Sequence, residues 1–180
     1  AGIQDHTNIR AERALASFHA TNRLTFSHSW DLPFGKGKRW LSDAPGFANH
    51  LLGGWQFTGI TTMMSGRPFS PGYLTNVAGA GAYRPNRLCD GNLPRGRRSV
   101  DRWFDPDCFQ PSVLYTFGNS GRNVLFNPGA INFDLSLQKN FAFGDRFRLN
   151  FRSEFFNAFN TPHFLGDQFG GSGGFATVGG

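Results

Sequence analysis

The sequence predicts an all-β chain: an antiparallel meander of about five or six strands joined by long Gly/Pro-rich loops, forming one β region over residues 1–180. Three observations predict it. Several segments alternate apolar and polar residues with a period of two, which puts one kind of side chain on each face of a strand. One of them, "INFDLSLQKNFAFGDRFRLNFRSEFF", keeps that alternation through a turn. The composition supplies 24 Gly and 10 Pro to punctuate strands, and 21 Phe, too aromatic for a disordered chain.

Residues 1–21 have no clean period and read as loop, with a helical turn expected near Glu12–Ser17. "NRLTFSHSW" (22–30) alternates, with Leu24, Phe26, His28 and Trp30 on one face. Pro33, Gly35 and Gly37 end it. A connector follows, with a helical turn expected at Phe47–Leu52. "GGWQFTGITTMMS" (53–65) reads as a second strand, carrying Trp55, Phe57, Gly59, Thr61 and Met63 on one face. Residues 70–128 are a long irregular stretch that holds most of the prolines, the basic cluster Arg95, Arg97 and Arg98, and both cysteines. Loops this long inside a domain are usually functional or tied to a larger body. A disulfide between Cys89 and Cys108, formed in an oxidising compartment, is the expectation here; two free thiols in a reducing one is the alternative.

The hairpin is the strongest signal. Ile131, Phe133, Leu135, Leu137, Phe141 and Phe143 share one parity, and Phe147, Leu149, Phe151 and Phe155 continue it. A three-residue loop, Gly144–Arg146, pairs Phe143 with Phe147 and keeps odd residues on one face of both strands. The tail, "LGDQFGGSGGFATVGG", is glycine-rich.

A sandwich would bury the Phe face and solvate the other. Three details point instead to a strand that crosses a bilayer. Each hairpin strand is near the ~9–11 residues a tilted transmembrane strand needs. Aromatics gather near strand ends, as interfacial girdles do. One end of the hairpin is a tight turn and the other opens into long loops, the asymmetry of outer-membrane barrels. On this reading Phe133, Leu135, Phe141, Phe143, Leu149, Phe151 and Phe155 face lipid. Asp134, Arg148, Arg152 and Glu154 face a wet lumen, where opposite charges pair and stay hydrated. No apolar run approaches the ~20 residues of a membrane-spanning helix. No signal peptide is visible, and the chain starts at Ala1, so a processed start or a longer parent chain is expected.

"DLPFGKGKRW", "LGGWQFTGITTMMSGRPFSP", "FGNSGRNVLFNPGAINFDLSLQKNF" and "FRSEFFNAFNTPHF" resemble the C-terminal barrel strands of large TonB-dependent outer-membrane receptors, in particular the Oar-like subgroup with an N-terminal carboxypeptidase-regulatory-like domain. The resemblance spans nearly residues 8–180, in order. It implies an outer-membrane location, a transport function for a bulky nutrient read by external loops such as 70–128, and contact with TonB through an N-terminal region that this chain lacks. The plug is lacking too, as is a last strand closing on an aromatic residue. Five strands cannot close a barrel when the smallest have eight, so the remainder of a barrel, or self-association through strand edges, is the expected partner.

Other chemistry finds little support. "GGSGG" at Gly170–Gly174 matches a nucleophile-elbow pattern around Ser172, but glycine runs supply neither the strand nor the helix it needs. The five histidines lack ligand spacing, and His28 lies on an apolar face. "GKGK" at Gly35–Lys38 is a turn, too short for a phosphate loop. No carboxylates are spaced for acid–base work. The net charge of +6 is scattered and forms no nucleic-acid stripe. No catalytic residue, metal ligand or cofactor is therefore assigned. A β-rich binding subunit that assembles edge to edge is the alternative to a transporter, and a small hydrolase the third.

Overall fold

The computed structural model describes residues 3–73, 84–144, 146–164 and 177–178. In chain order these form β1 (Arg23–Asp31), α1 (Gly46–Leu52), β2 (Trp55–Met64), β3 (Pro68–Phe69), β4 (Gly72–Tyr73), β5 (Asn86–Arg87), β6 (Phe109–Gln110), β7 (Leu125–Phe126), β8 (Ala130–Phe143), β9 (Phe147–Phe155) and β10 (Thr177–Val178). Two compact units result. One comprises Arg23–Met63 and Ile131–Pro162; the other comprises Ala1–Asn22, Met64–Ala130 and His163–Gly180.

The first unit is a four-stranded sheet in the order β1-β2-β8-β9. The hairpin has the register that parity requires: Phe143 pairs with Phe147, Phe141 with Leu149, Lys139 with Phe151 and Leu135 with Phe155. Asp145, in the expected turn, lies outside the described residues, as does Ser172. Antiparallel pairing of β1 with β2 is marked at both ends: Leu32 N–H donates to the Trp55 carbonyl, and Ser65 N–H to that of Asn22. Gly59 sits mid-strand for a steric reason. A Cβ there would lie 2.6 Å from the His28 ring and 2.8 Å from a Leu135 methyl. The side chains of β1 and β8 therefore meet across β2 where it has none. The α-helix α1 falls on the connector, over the span where a helical turn was expected.

Strand β9 ends through its asparagines. Asn157 and Asn160 take φ of 47° and 49°, the left-handed region that asparagine tolerates better than most residues. The Asn157 side chain bonds Thr161 twice, accepting from its N–H and donating to its carbonyl. Phe159 folds back edge-on to Phe133, ring centres 5.0 Å apart. The loss of alternation after Phe155 is thus a built stop.

In the second unit, Phe69, Phe104, Cys108, Phe109 and Leu125 form the core, with Leu125 fully buried and Phe109 2% exposed. Short pairs organise it: β3 with β7 and β5 with β6, both antiparallel, and β10 with β4, parallel. A disulfide joins Cys89 to Cys108 with Cα atoms 4.9 Å apart, and puts the Cys108 sulfur into that core. The N-terminal turn is a 3-10 turn at Ile9–Glu12 and not at Glu12–Ser17. Glu12 is held by a buried Arg84, and Arg13 beyond it is extended. Of the basic cluster, Arg95 and Arg97 are exposed. Arg98 donates to the Leu93 carbonyl and stacks over Trp103 at 5.3 Å.

Candidate functional site

The sheet presents two chemically opposite faces. On the polar one, side chains from different strands meet one another. Gln138 donates to Gln56 of β2, and Asn150 donates to Asn140 at 2.7 Å. Arg152 pairs with Glu154 two residues on, both partly exposed. Asp134 accepts from Asn132 at 2.7 Å and from the Asn157 N–H at 3.0 Å. It therefore also fastens the end of β9. A cavity of about 490 Å³ runs along this region, lined by Ser29, Thr58, Asp134, Ser136, Arg152 and Glu154 among others. Three of the four polar residues singled out from the sequence thus line one cavity. Arg148 is the exception: it is exposed, lies opposite Ala142 near the turn, and is not among the lining residues.

On the other face the aromatic side chains are bare. Leu149 is 56% exposed and Phe151 46%, and Phe26, Trp30, Phe143 and Phe155 are similarly open. Within this unit the four strands form a single sheet, with no second one to cover this face among the described residues. Phe133, Leu135 and Phe141 are half-buried by their neighbours: Phe133 by Phe159, Leu135 beside Gly59, and Phe141 between Trp55 and Phe143. His28 belongs to this face, stacked on Phe26 and tilted against Phe57.

One residue of this face escaped the pattern. Lys139 occupies an apolar-parity position opposite Phe151, yet is only 4% exposed. Its ammonium donates to the carbonyls of Leu51 and Gly53 at the end of α1. It also lies over the rings of Trp55 and Phe141, at 5.5 and 4.8 Å. The methylene stem covers apolar surface, and the charge meets helix-end carbonyls and π faces. The sequence shows only a lysine on the apolar parity of β8; the helix end that receives it comes from residues 46–52.

The second unit holds a further ionic feature that sequence reasoning missed. Arg84 and Glu12 form a buried bidentate pair at 2.7 and 2.9 Å. Arg84 also donates to the Ser120 carbonyl, and its own N–H donates to Gln4. The Arg84 guanidinium holds the Glu12 carboxyl below the ordinary glutamate range. No group of three or more His, Cys, Asp or Glu able to hold a metal occurs among the described residues.

Residues 1–179 match the family model described as an outer membrane beta barrel domain. No curated protein and no solved structure matches the chain.

Proposed function

Because the chain belongs to the outer membrane beta barrel domain family, and so resides in the outer membrane, we propose that its four-stranded sheet is a wall segment of the barrel of a TonB-dependent receptor that takes up a bulky nutrient. Phe133, Leu135, Phe141, Phe143, Leu149, Phe151 and Phe155 face lipid; Asp134, Arg148, Arg152 and Glu154 face the lumen. One observation carries this reading. The apolar face is bare while the opposite face ties its polar groups to each other. That is the reverse of what water selects and what a bilayer requires.

The excursion between β2 and β8 leaves the sheet at the end opposite the Gly144–Arg146 turn. In this family's architecture short turns are periplasmic and long loops external, so residues 70–128 read the nutrient outside the cell. The role is transport and not catalysis. Energy coupling through TonB rests on the resemblance of the strand segments to TonB-dependent receptors.

Accessibility tests the faces. Nitroxides on single cysteines at Phe133, Leu149 and Phe151 should be reached by oxygen dissolved in lipid and not by a water-soluble nickel chelate; a label at Arg152 should show the reverse. If neither agent reaches the first three, the Phe face is a packed protein core and the barrel reading fails. Receptor function is tested in cells: uptake by the complete protein should vanish in a strain lacking TonB, and uptake that persists ends that assignment.

A second reading draws on the sheet's edges. β1 and β9 are its outermost strands, and such edges invite pairing with another chain. In that case the chain would form a discrete oligomer without detergent, which sedimentation would reveal.

A further inference from the structure

We infer that the β1–β2 connection, residues 32–54, is an interfacial anchor that binds anionic phospholipid headgroups at the turn end of the sheet. The inference rests on the membrane reading of the sheet and adds a ligand and a place to it. Three observations converge on this segment.

First, it is built as one piece. Gly35 backs onto Gly53: a Cβ on Gly35 would stand 2.7 Å from the Gly53 Cα, and φ at Gly35 is 111°. The Asn49 side chain of α1 accepts from the Lys36 N–H. Gly35 N–H donates to the Trp40 carbonyl, and Trp40 N–H to that of Pro33. The "GKGK" turn and the helix therefore hold each other.

Second, the piece is seated on the bare aromatic face. His50 of α1 lies against Phe141 and Phe143, with ring centres 6.2 and 5.6 Å apart. Trp55 Nε1 and the Lys139 ammonium both donate to the Leu51 carbonyl. Groups that would otherwise be orphaned at a helix end are satisfied without water.

Third, its outward surface is amphipathic in the manner of interfacial segments. Phe47 is 83% exposed, and Leu51, one turn along, is also exposed. Trp40 and Leu41 of the same connection are exposed too. Lys36, Lys38 and Arg39 are exposed on the adjoining turn, against one carboxylate, Asp43, and Arg39 lies over Trp40 at 5.8 Å. Rings and aliphatic side chains at headgroup depth, with cations next to them, are how peripheral segments hold a charged membrane surface. Apolar side chains alone would fit any bilayer; the three cations select an anionic one. Each basic group near such a surface contributes roughly a fivefold gain in binding.

The test uses the chain within its closed barrel, reconstituted into phosphatidylcholine vesicles with and without phosphatidylglycerol. Nitroxides are placed at Phe47→Cys, at Leu51→Cys as a second site on the helix, and at Leu149→Cys on the sheet. The native cysteines are paired with each other, so each new thiol is labelled alone. In phosphatidylglycerol the helix labels should be shielded from nickel chelate. The charge reversal Lys36→Glu/Lys38→Glu/Arg39→Glu, or removal of phosphatidylglycerol, should raise their nickel access several-fold and leave Leu149 unchanged. Helix labels open to nickel in every lipid, with Leu149 still shielded, overturn the anchor and spare the barrel. Shielding that ignores both charge reversal and lipid charge overturns headgroup binding. A Leu149 label open to nickel overturns the membrane reading, and the anchor with it.

Discussion

The sheet and the disulfide-bonded unit are built by opposite rules. In the unit around Leu125, apolar side chains are inside, the Cys108 end of a sulfur bridge is buried with them, and a deep ion pair is bidentate. In the sheet, leucines and phenylalanines stand open on one face while amides and an ion pair line the other. The same chain thus contains a unit with its apolar side chains inside and a sheet with its apolar side chains outside. The difference shows that hydrophobicity of composition says little by itself. What separates the two regions is period: strict alternation through long strands in one, and irregular spacing between short strands in the other.

The comparison can be broken at several points. The largest effect is expected at Arg84→Ala, which strands the buried Glu12 carboxylate. About 3–5 kcal/mol should be lost, read as lost amide protection in the disulfide-bonded unit, with the β8–β9 hairpin still protected. Removing the Cys89–Cys108 bridge should cost on the order of 3 kcal/mol by the entropic estimate, again confined to that unit, as denaturant melts with and without reductant would show. Phe151→Arg probes the other rule. At the middle of β9 it should cost about 2–4 kcal/mol when the closed barrel containing this sheet is refolded from urea into lipid vesicles. Arg152→Gln, its neighbour on the polar face, should cost at most about 1 kcal/mol, because its pair with Glu154 is open to water. If the two substitutions cost the same, the two faces do not see different solvents.

The smallest effect is acid. Glu12 has its carboxyl lowered when folded, so between the two pKa values the unfolded chain binds the extra proton. The stabilisation is complete above the ordinary glutamate value of about 4.3 and fades as pH falls through the lower folded value. Stability of the disulfide-bonded unit should therefore be flat from neutral pH down to about 5 and decline below the ordinary value. In Glu12→Gln that acid step should be smaller, as fluorescence melts against pH would show.

Much of the sheet was legible because strand parity is local. The β8–β9 register follows from counting through three residues, and no distant contact is needed to know that Phe143 faces Phe147. The shared parity of Asp134, Arg148, Arg152 and Glu154 was readable in the same way; that a cavity takes in three of them and leaves out Arg148 was not. Lys139 was not, since its place depends on a helix that arrives from residues 46–52. The core around Phe109 and the Arg84–Glu12 pair were illegible for a related reason. Their partners are far apart in sequence, and the segments between them carry no period. Only the cysteine pair gave notice that residues 70–128 fold back on themselves.

The pairing of β3 with β7 has a consequence for how such a chain can change. Pro68 lies opposite Phe126 and Phe69 opposite Leu125, and the Asn127 N–H donates to the Arg67 carbonyl. The long excursion is therefore pinched shut at its neck, just beyond the ends of two neighbouring strands. Whatever lies past the neck can lengthen at little entropic cost, since closing a loop depends only weakly on its length. The strands before and after it keep their register whether the insert is long or short. Exchange of residues 70–124 between relatives is therefore limited by partners outside the neck more than by length: an incoming segment must still bring a counterpart of Arg84 to Glu12 and of Asn123 to Leu15.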